Sequence, residues 1–127
     1  MTLDSSALIA ILFGESGHLD LVDRILAADQ VRVGTPTLVE TCIVCTGRGR
    51  NAVGELEVLL QELGVTVVPF GEREWHAAVD AVLQFGRGRH PARLNFGDCM
   101  SYAVAAVAND SLLFVGNDFS QTDITPA

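Results

Sequence analysis

Four of the sixteen acidic residues stand apart from the others. Asp4 follows the apolar Leu3 and precedes Ser5-Ser6 and the unbroken apolar run Ala7 to Phe13. Glu40 lies in T-L-V-E-T, Asp98 in L-N-F-G-D-C, and Asp118 in V-G-N-D-F. Most other acids, such as Glu55, Glu57, Glu62, Glu72, Glu74 and Asp80, fall on the polar faces of helical patterns. A carboxylate among apolar residues is unfavourable unless its charge is compensated. Four of them drawn into one cleft would also repel each other. Two unit charges ~4 Å apart at an effective dielectric near ~20 cost on the order of 4 kcal/mol. Such a set holds protons or divalent cations, and oxygen-only donors select a hard ion, Mg²⁺ or Mn²⁺. A hard ion can activate water and stabilise charge on a phosphodiester. The chemistry open to these residues together is metal-assisted phosphodiester hydrolysis. Taken singly, two of them have a plainer reading: Asp4 as a helix N-cap, Asp98 as an early-turn acid favoured by the helix dipole.

Gathering these acids requires a particular scaffold. Short β-branched or leucine-rich runs near Leu3, at Val31–Val33, Val65–Val68 and Leu112–Val115 predict strands. Between them, helical spacing predicts helices over Ala7–Phe13, His18–Ala28, Pro36 to about Gly47, Val53–Leu63, Glu72–Phe85 and Asn95–Ala108. Trp75, Val79, Val82 and Leu83 are expected to face inward, and the tail Thr122–Thr125 to add a short edge strand. Apolar strands alternating with helices indicate a parallel sheet covered on both faces. The expectation is one three-layer α/β/α domain over residues 1–127, with a central parallel sheet of four to five short strands. On that layout all four acids lie at the strand-to-helix edge, where parallel α/β proteins bind ligands.

A net charge of −8 argues against a general nucleic-acid coating protein. The basic residues are nevertheless concentrated. All eight are Arg, and four lie in two copies of G-R-G-R, Gly47–Arg50 and Gly86–Arg89, with Arg93 just beyond the second. Arg suits bidentate phosphate contact. Arg87, Arg89 and Arg93, immediately before Asp98, are the candidate RNA-binding rim. Phe96 is expected to pack near the site, where it could shape the path of a base. Cys42 and Cys45 form a C-x-x-C in an apolar helical stretch without a second pair, and read as buried free thiols. No charged leader or membrane-length apolar run is present, and the three cysteines give no disulfide framework, so a reducing cytoplasm is expected.

The D-S-S-A-L start, Glu40 in T-L-V-E-T, L-N-F-G-D-C and V-G-N-D-F-S-Q-T-D-I together resemble a PIN-domain ribonuclease, and more narrowly a VapC toxin of bacterial toxin–antitoxin pairs. The resemblance spans the chain in order. It implies a Mg²⁺- or Mn²⁺-dependent endoribonuclease that leaves 5′-phosphate and 3′-hydroxyl ends, is held inactive by a VapB-type antitoxin, and usually acts as a homodimer. It also implies that Asp4, Glu40, Asp98 and Asp118 form the catalytic quartet, with Asp4, Asp98 and Asp118 on the metal. Many relatives carry a further acid just before the last; here it is Asn117, which leaves fewer charges for a second ion. Asp123 occupies a typical family position without being a primary ligand.

Two other classes are open. A phosphoaspartyl or receiver domain also places Asp after a strand, but would use D-x-D or a pendant Lys. Position 6 is Ser, and the chain has no Lys. A non-catalytic binding module would keep the fold without turnover.

Overall fold

A computed structural model describes all 127 residues. Six helices and four strands alternate: β1 (Thr2–Leu3), α1 (Ser5–Phe13), α2 (His18–Ala27), β2 (Arg32–Gly34), α3 (Thr35–Gly47), α4 (Val53–Glu62), β3 (Thr66–Val68), α5 (Glu72–Phe85), α6 (Phe96–Ala108) and β4 (Leu112–Leu113). The strands are parallel and ordered β3-β2-β1-β4. Leading from β1, the chain builds outward on one side and later returns to the other side of β1. The sheet therefore reverses direction between β1 and β4, and a crevice opens there at the carboxyl ends of the strands.

Alternation along the strands divides the core in two. Leu3, Val33 and Leu113 face Leu8, Ile25, Leu56 and Leu60 of α1, α2 and α4. On the opposite face, Leu112 meets Ala81, Phe85, Tyr102 and Ala105 of α5 and α6, with Phe119. This is the expected three-layer arrangement. The last predicted strand is shorter than expected, because the chain leaves the ladder after Leu113. The fifth strand is reduced to one parallel bridge, Leu112 to Pro126, just beyond the predicted tail segment.

The helix faces need correction. Trp75 is 55% exposed, and Val79, Val82 and Leu83 are also exposed. The inward face of α5 is instead Ala78, Ala81 and Phe85. Small alanines let α5 approach α6 closely, which bulky side chains on that stripe would prevent. Leu19, Leu26, Val39, Ile43 and Val53 likewise point outward. Cys45 and Cys99 are buried and Cys42 half-buried, all three as free thiols. Burial raises the pKa of the Cys45 thiol, so it behaves as an inert core residue.

Candidate active site: an acidic edge between β1 and β4

Local rules place each acid. Asp4 ends β1 and caps α1: its Oδ2 accepts from the Ser6 N–H at 3.0 Å and the Ser6 hydroxyl at 2.6 Å. The Ser6 hydroxyl in turn accepts from the Val115 N–H at 2.9 Å, which ties the end of β1 to the chain leaving β4. Asp98 sits in a reciprocal cap, accepting from the Asn95 N–H at 2.7 Å while the Asn95 side chain accepts from the Asp98 N–H at 2.9 Å. Both capping readings thus hold, and neither excludes a site. Each cap engages Oδ2 alone. Asp4 is 3% exposed, and its Oδ1 has no partner at all.

Glu40 projects from the second turn of α3 toward the first turn of α6. Its carboxylate lies directly over Gly97, where a β-carbon would overlap it. Its Oε2 is the second buried carboxylate oxygen without a partner. Asp118 stands in the exposed turn after β4, at the mouth. Asn117 beside it is exposed, and its carbonyl closes the turn on Ser120 at 3.1 Å.

The charges of the other three acids act on Asp98, and that of Asp4 acts on Glu40. Burial pushes the Asp98 carboxyl up to about 6, the Asn95 hydrogen bond opposes this, and the charges of Asp4, Asp118 and Glu40 push it further. Glu40 is raised as well, first by burial and then by Asp4, against a lowering by the Ser5 hydroxyl. No group of three or more His, Cys, Asp or Glu side chains that could hold a metal ion is gathered in this structure. Mutually repelling carboxylates stand apart unless a cation draws them in. The two orphaned oxygens in an oxygen-only, low-polarity setting fit a hard divalent ion and do not fit zinc. The site is an open edge, not a cavity. A cleft of about 490 Å³ lined by Ile25, Asp29, Arg32 and Thr66 lies at the other, amino ends of β2 and β3.

Other expected contributors separate. Arg87, Arg89 and Arg93 are exposed on the Gly86–Leu94 loop, which is closed by the Leu94 N–H on the Phe85 carbonyl at 2.9 Å. Arg48 and Arg50, in the other G-R-G-R, are engaged elsewhere: Arg48 with Glu15 at 2.9 Å, Arg50 with Glu55 and the Leu12 carbonyl. Phe96 is 78% exposed beside Asp98 and does not pack into the core. Asp123 points away and accepts from the Tyr102 hydroxyl at 2.6 Å. Sequence reasoning missed Gly97 and the tie that Ser6 makes between Asp4 and Val115. The Asn95-x-x-Asp98 cap was readable as a capping box, whereas the role of Gly97 depends on a residue far away in the chain.

A doubly covered parallel sheet with acids near the carboxyl ends of its strands defines a class: α/β proteins that bind ligands at that edge. Comparison with known proteins narrows this. The PIN domain family model matches residues 1–124. The chain is 44% identical over 126 residues to Ribonuclease VapC36 of Mycobacterium tuberculosis, covering 98% of this chain and 91% of that one. With Ribonuclease VapC42 of the same species it shares 40% over 129 residues, covering 100% and 98%. The solved structure of M. tuberculosis VapC20, described as a Sarcin-Ricin loop cleaving toxin, superposes with a TM-score of 0.75 at 18% identity, over 99% of this chain and 97% of that one. VapBC2 from Rickettsia felis, bound to a promoter DNA fragment, gives a TM-score of 0.73 at 11% identity, over 99% of this chain and 96% of that one. The chain belongs to the PIN-domain family, among the VapC ribonucleases. No helix is long and apolar enough to cross a membrane.

Proposed function

We propose that this chain is the toxin of a toxin–antitoxin pair, an endoribonuclease that hydrolyses RNA phosphodiesters with Mg²⁺ or Mn²⁺ and is inhibited by a VapB-type antitoxin. The observation that supports the reading is the pair of buried, unpartnered carboxylate oxygens, Asp4 Oδ1 and Glu40 Oε2, with Asp98 feeling the charges of Asp4, Asp118 and Glu40. Asp4, Asp98 and Asp118 would hold the ion, which supplies water activation and charge stabilisation at phosphorus. Asp4 and Asp98 are pre-aimed, because their capping bonds lock rotamers and leave one oxygen each free. Glu40 completes the ligand set or orients the attacking water. Its raised pKa suits it to share a proton. With Asn117 in place of a further acid, the set suits one ion better than two.

Arg87, Arg89 and Arg93 form a local basic rim that lets a chain of net charge −8 receive RNA. An antitoxin would silence the site by placing an Arg or Lys among the free carboxylates. Two copies would act as a homodimer.

The test uses the full chain, a structured RNA, and arms with Mn²⁺, Mg²⁺ or EDTA. Cleavage is expected with either metal and not with EDTA. Asp4→Asn and Asp98→Asn should each lower it by about a hundredfold or more, at or beyond the range seen when the surroundings of metal ligands are altered. Equal cleavage in every arm removes the proposal.

A further inference from the structure

The antiparallel seam between α3 and α6 has three register points. At one end Gly34 lies against Val104, where an added β-carbon would come within 2.7 Å of the Val104 methyl. At the other end Gly97 lies under the Glu40 carboxylate. Between them, the Thr37 and Ser101 hydroxyls bond at 3.0 Å. Both side chains are sealed, Thr37 at 1% and Ser101 at 0% exposure. Thr41 donates to the Thr37 carbonyl at 2.8 Å, which keeps that turn of α3 regular.

Position gives this bond its meaning. Thr37 lies three residues before Glu40 and Ser101 three residues after Asp98, each one turn away on its helix. It is the one side-chain hydrogen bond that joins the two helices. A close-packed seam of small residues would be satisfied by apolar contact, and apolar contact is non-directional. A buried hydroxyl pair is directional and resists both sliding and rotation. It sits where register matters, one turn from the Glu40 carboxylate over Gly97 and one turn from Asp98, two like charges that repel at close range.

We infer that Thr37 and Ser101 are positioning residues: their buried hydroxyl bond sets the spacing of Glu40 and Asp98 against carboxylate repulsion. The inference rests on reading the acidic edge as the hydrolytic site. Neither hydroxyl reaches the mouth or touches a reacting group. Their effect passes through the helices that carry the acids.

Two measurements on the full chain test it. The first is a thermal cycle in EDTA at pH 8, where the acids are ionised. Glu40→Gln removes one repelling charge and should raise the melting temperature. The gain should be smaller in Ser101→Ala, because the unclasped helices have already relaxed apart. Equal gains in the two backgrounds overturn the inference. The second is calorimetric titration with Mn²⁺ alongside steady-state RNA cleavage. Ser101→Ala and Thr37→Val should each weaken Mn²⁺ binding and lower kcat by about tenfold, the low end for residues that orient metal ligands. KM for RNA should not move, and Thr37→Ser, which keeps the hydroxyl, should restore both. Unchanged Mn²⁺ affinity in Ser101→Ala and Thr37→Val overturns it, even if both variants melt earlier. Failure of the nuclease reading looks different: Asp98→Asn would then cleave RNA as the unaltered chain does, while the thermal cycle would still report whether the clasp sets the spacing.

Discussion

The chain contains the string G-R-G-R twice, and the two copies end in opposite states. In the first, Arg48 and Arg50 lie over the Phe13 ring at 5.0 and 5.1 Å and pair with Glu15 and Glu55. Their charge is neutralised within the fold, and the loop fastens α1 to α4. In the second, Arg87, Arg89 and Arg93 make no ion pair and no side-chain hydrogen bond. The nearby acid does not neutralise them either. Arg50 lowers the pKa of Glu55, whereas Asp98 is raised and no arginine is among the charges acting on it. Identical strings are thus a structural fastening in one place and a set of exposed, unpaired arginines in the other. The proposed function gives the free arginines a task, to meet the phosphates of an RNA.

The contrast breaks most directly if the second loop proves dispensable. Replacing Arg87, Arg89 and Arg93 with Ala should raise KM for RNA by about ten- to hundredfold, with kcat much less affected. The log–log salt dependence of binding should flatten by about two, at ~0.7 per phosphate contact on a single strand. Retention of the salt slope would show that the rim carries no phosphate.

That the two loops differ could not be read from the string itself, since their fates depend on Phe13, Glu15 and Glu55 across the fold. The same limit explains the misread helix faces. Periodicity in α5 defines two apolar stripes, Trp75-Val79-Val82-Leu83 and Ala78-Ala81-Phe85, and hydrophobicity alone favours the bulkier one. Close approach to α6 selects the smaller. Val65–Val68, the strongest strand signal in the chain, forms the sheet edge, with Val67 exposed, because β-branching reports fit to a pleated, half-buried surface and not whether a strand is central. That the carboxyl ends of β1 and β4 share one edge was legible because the strands of a parallel sheet all run the same way. Gly97 and the Thr37–Ser101 pair were not, because their function lies in a contact between segments some sixty residues apart.

The unpaired state of Asp98 makes its own prediction. Its folded pKa, about 6, lies above the ordinary 3.8, so between these values the folded chain binds more protons than the unfolded one. Stability from this group is therefore full below about pH 4 and is lost as pH rises through 6. The loss is on the order of 1–2 kcal/mol after allowing for screening at a half-buried carboxyl. Chemical denaturation from pH 4 to 8 should show this decline in the unaltered chain and a flatter one in Asp98→Asn, which keeps the capping acceptor. Mn²⁺ should restore stability at pH 7 in the unaltered chain only. Glu55 behaves in the reverse sense. Its pKa is lowered by Arg50, so its contribution is present at neutral pH and is lost as pH falls through its folded pKa.

The smallest effect should come from the first loop, and it completes the contrast. Arg50→Ala removes an exposed bidentate pair with Glu55 and a part-buried bond to the Leu12 carbonyl. Exposed ion pairs contribute little and are screened by salt. The variant should melt slightly earlier at low ionic strength, and the difference should shrink as salt is added. Its KM for RNA and its salt slope should match those of the unaltered chain. Arg48→Ala, which loses one contact to Glu15 and its place over Phe13, should change even less. If either substitution flattened the salt dependence of RNA binding as the second-loop variants are expected to, Arg48 and Arg50 would have to leave their partners to meet phosphate, and the division between fastening and rim would collapse.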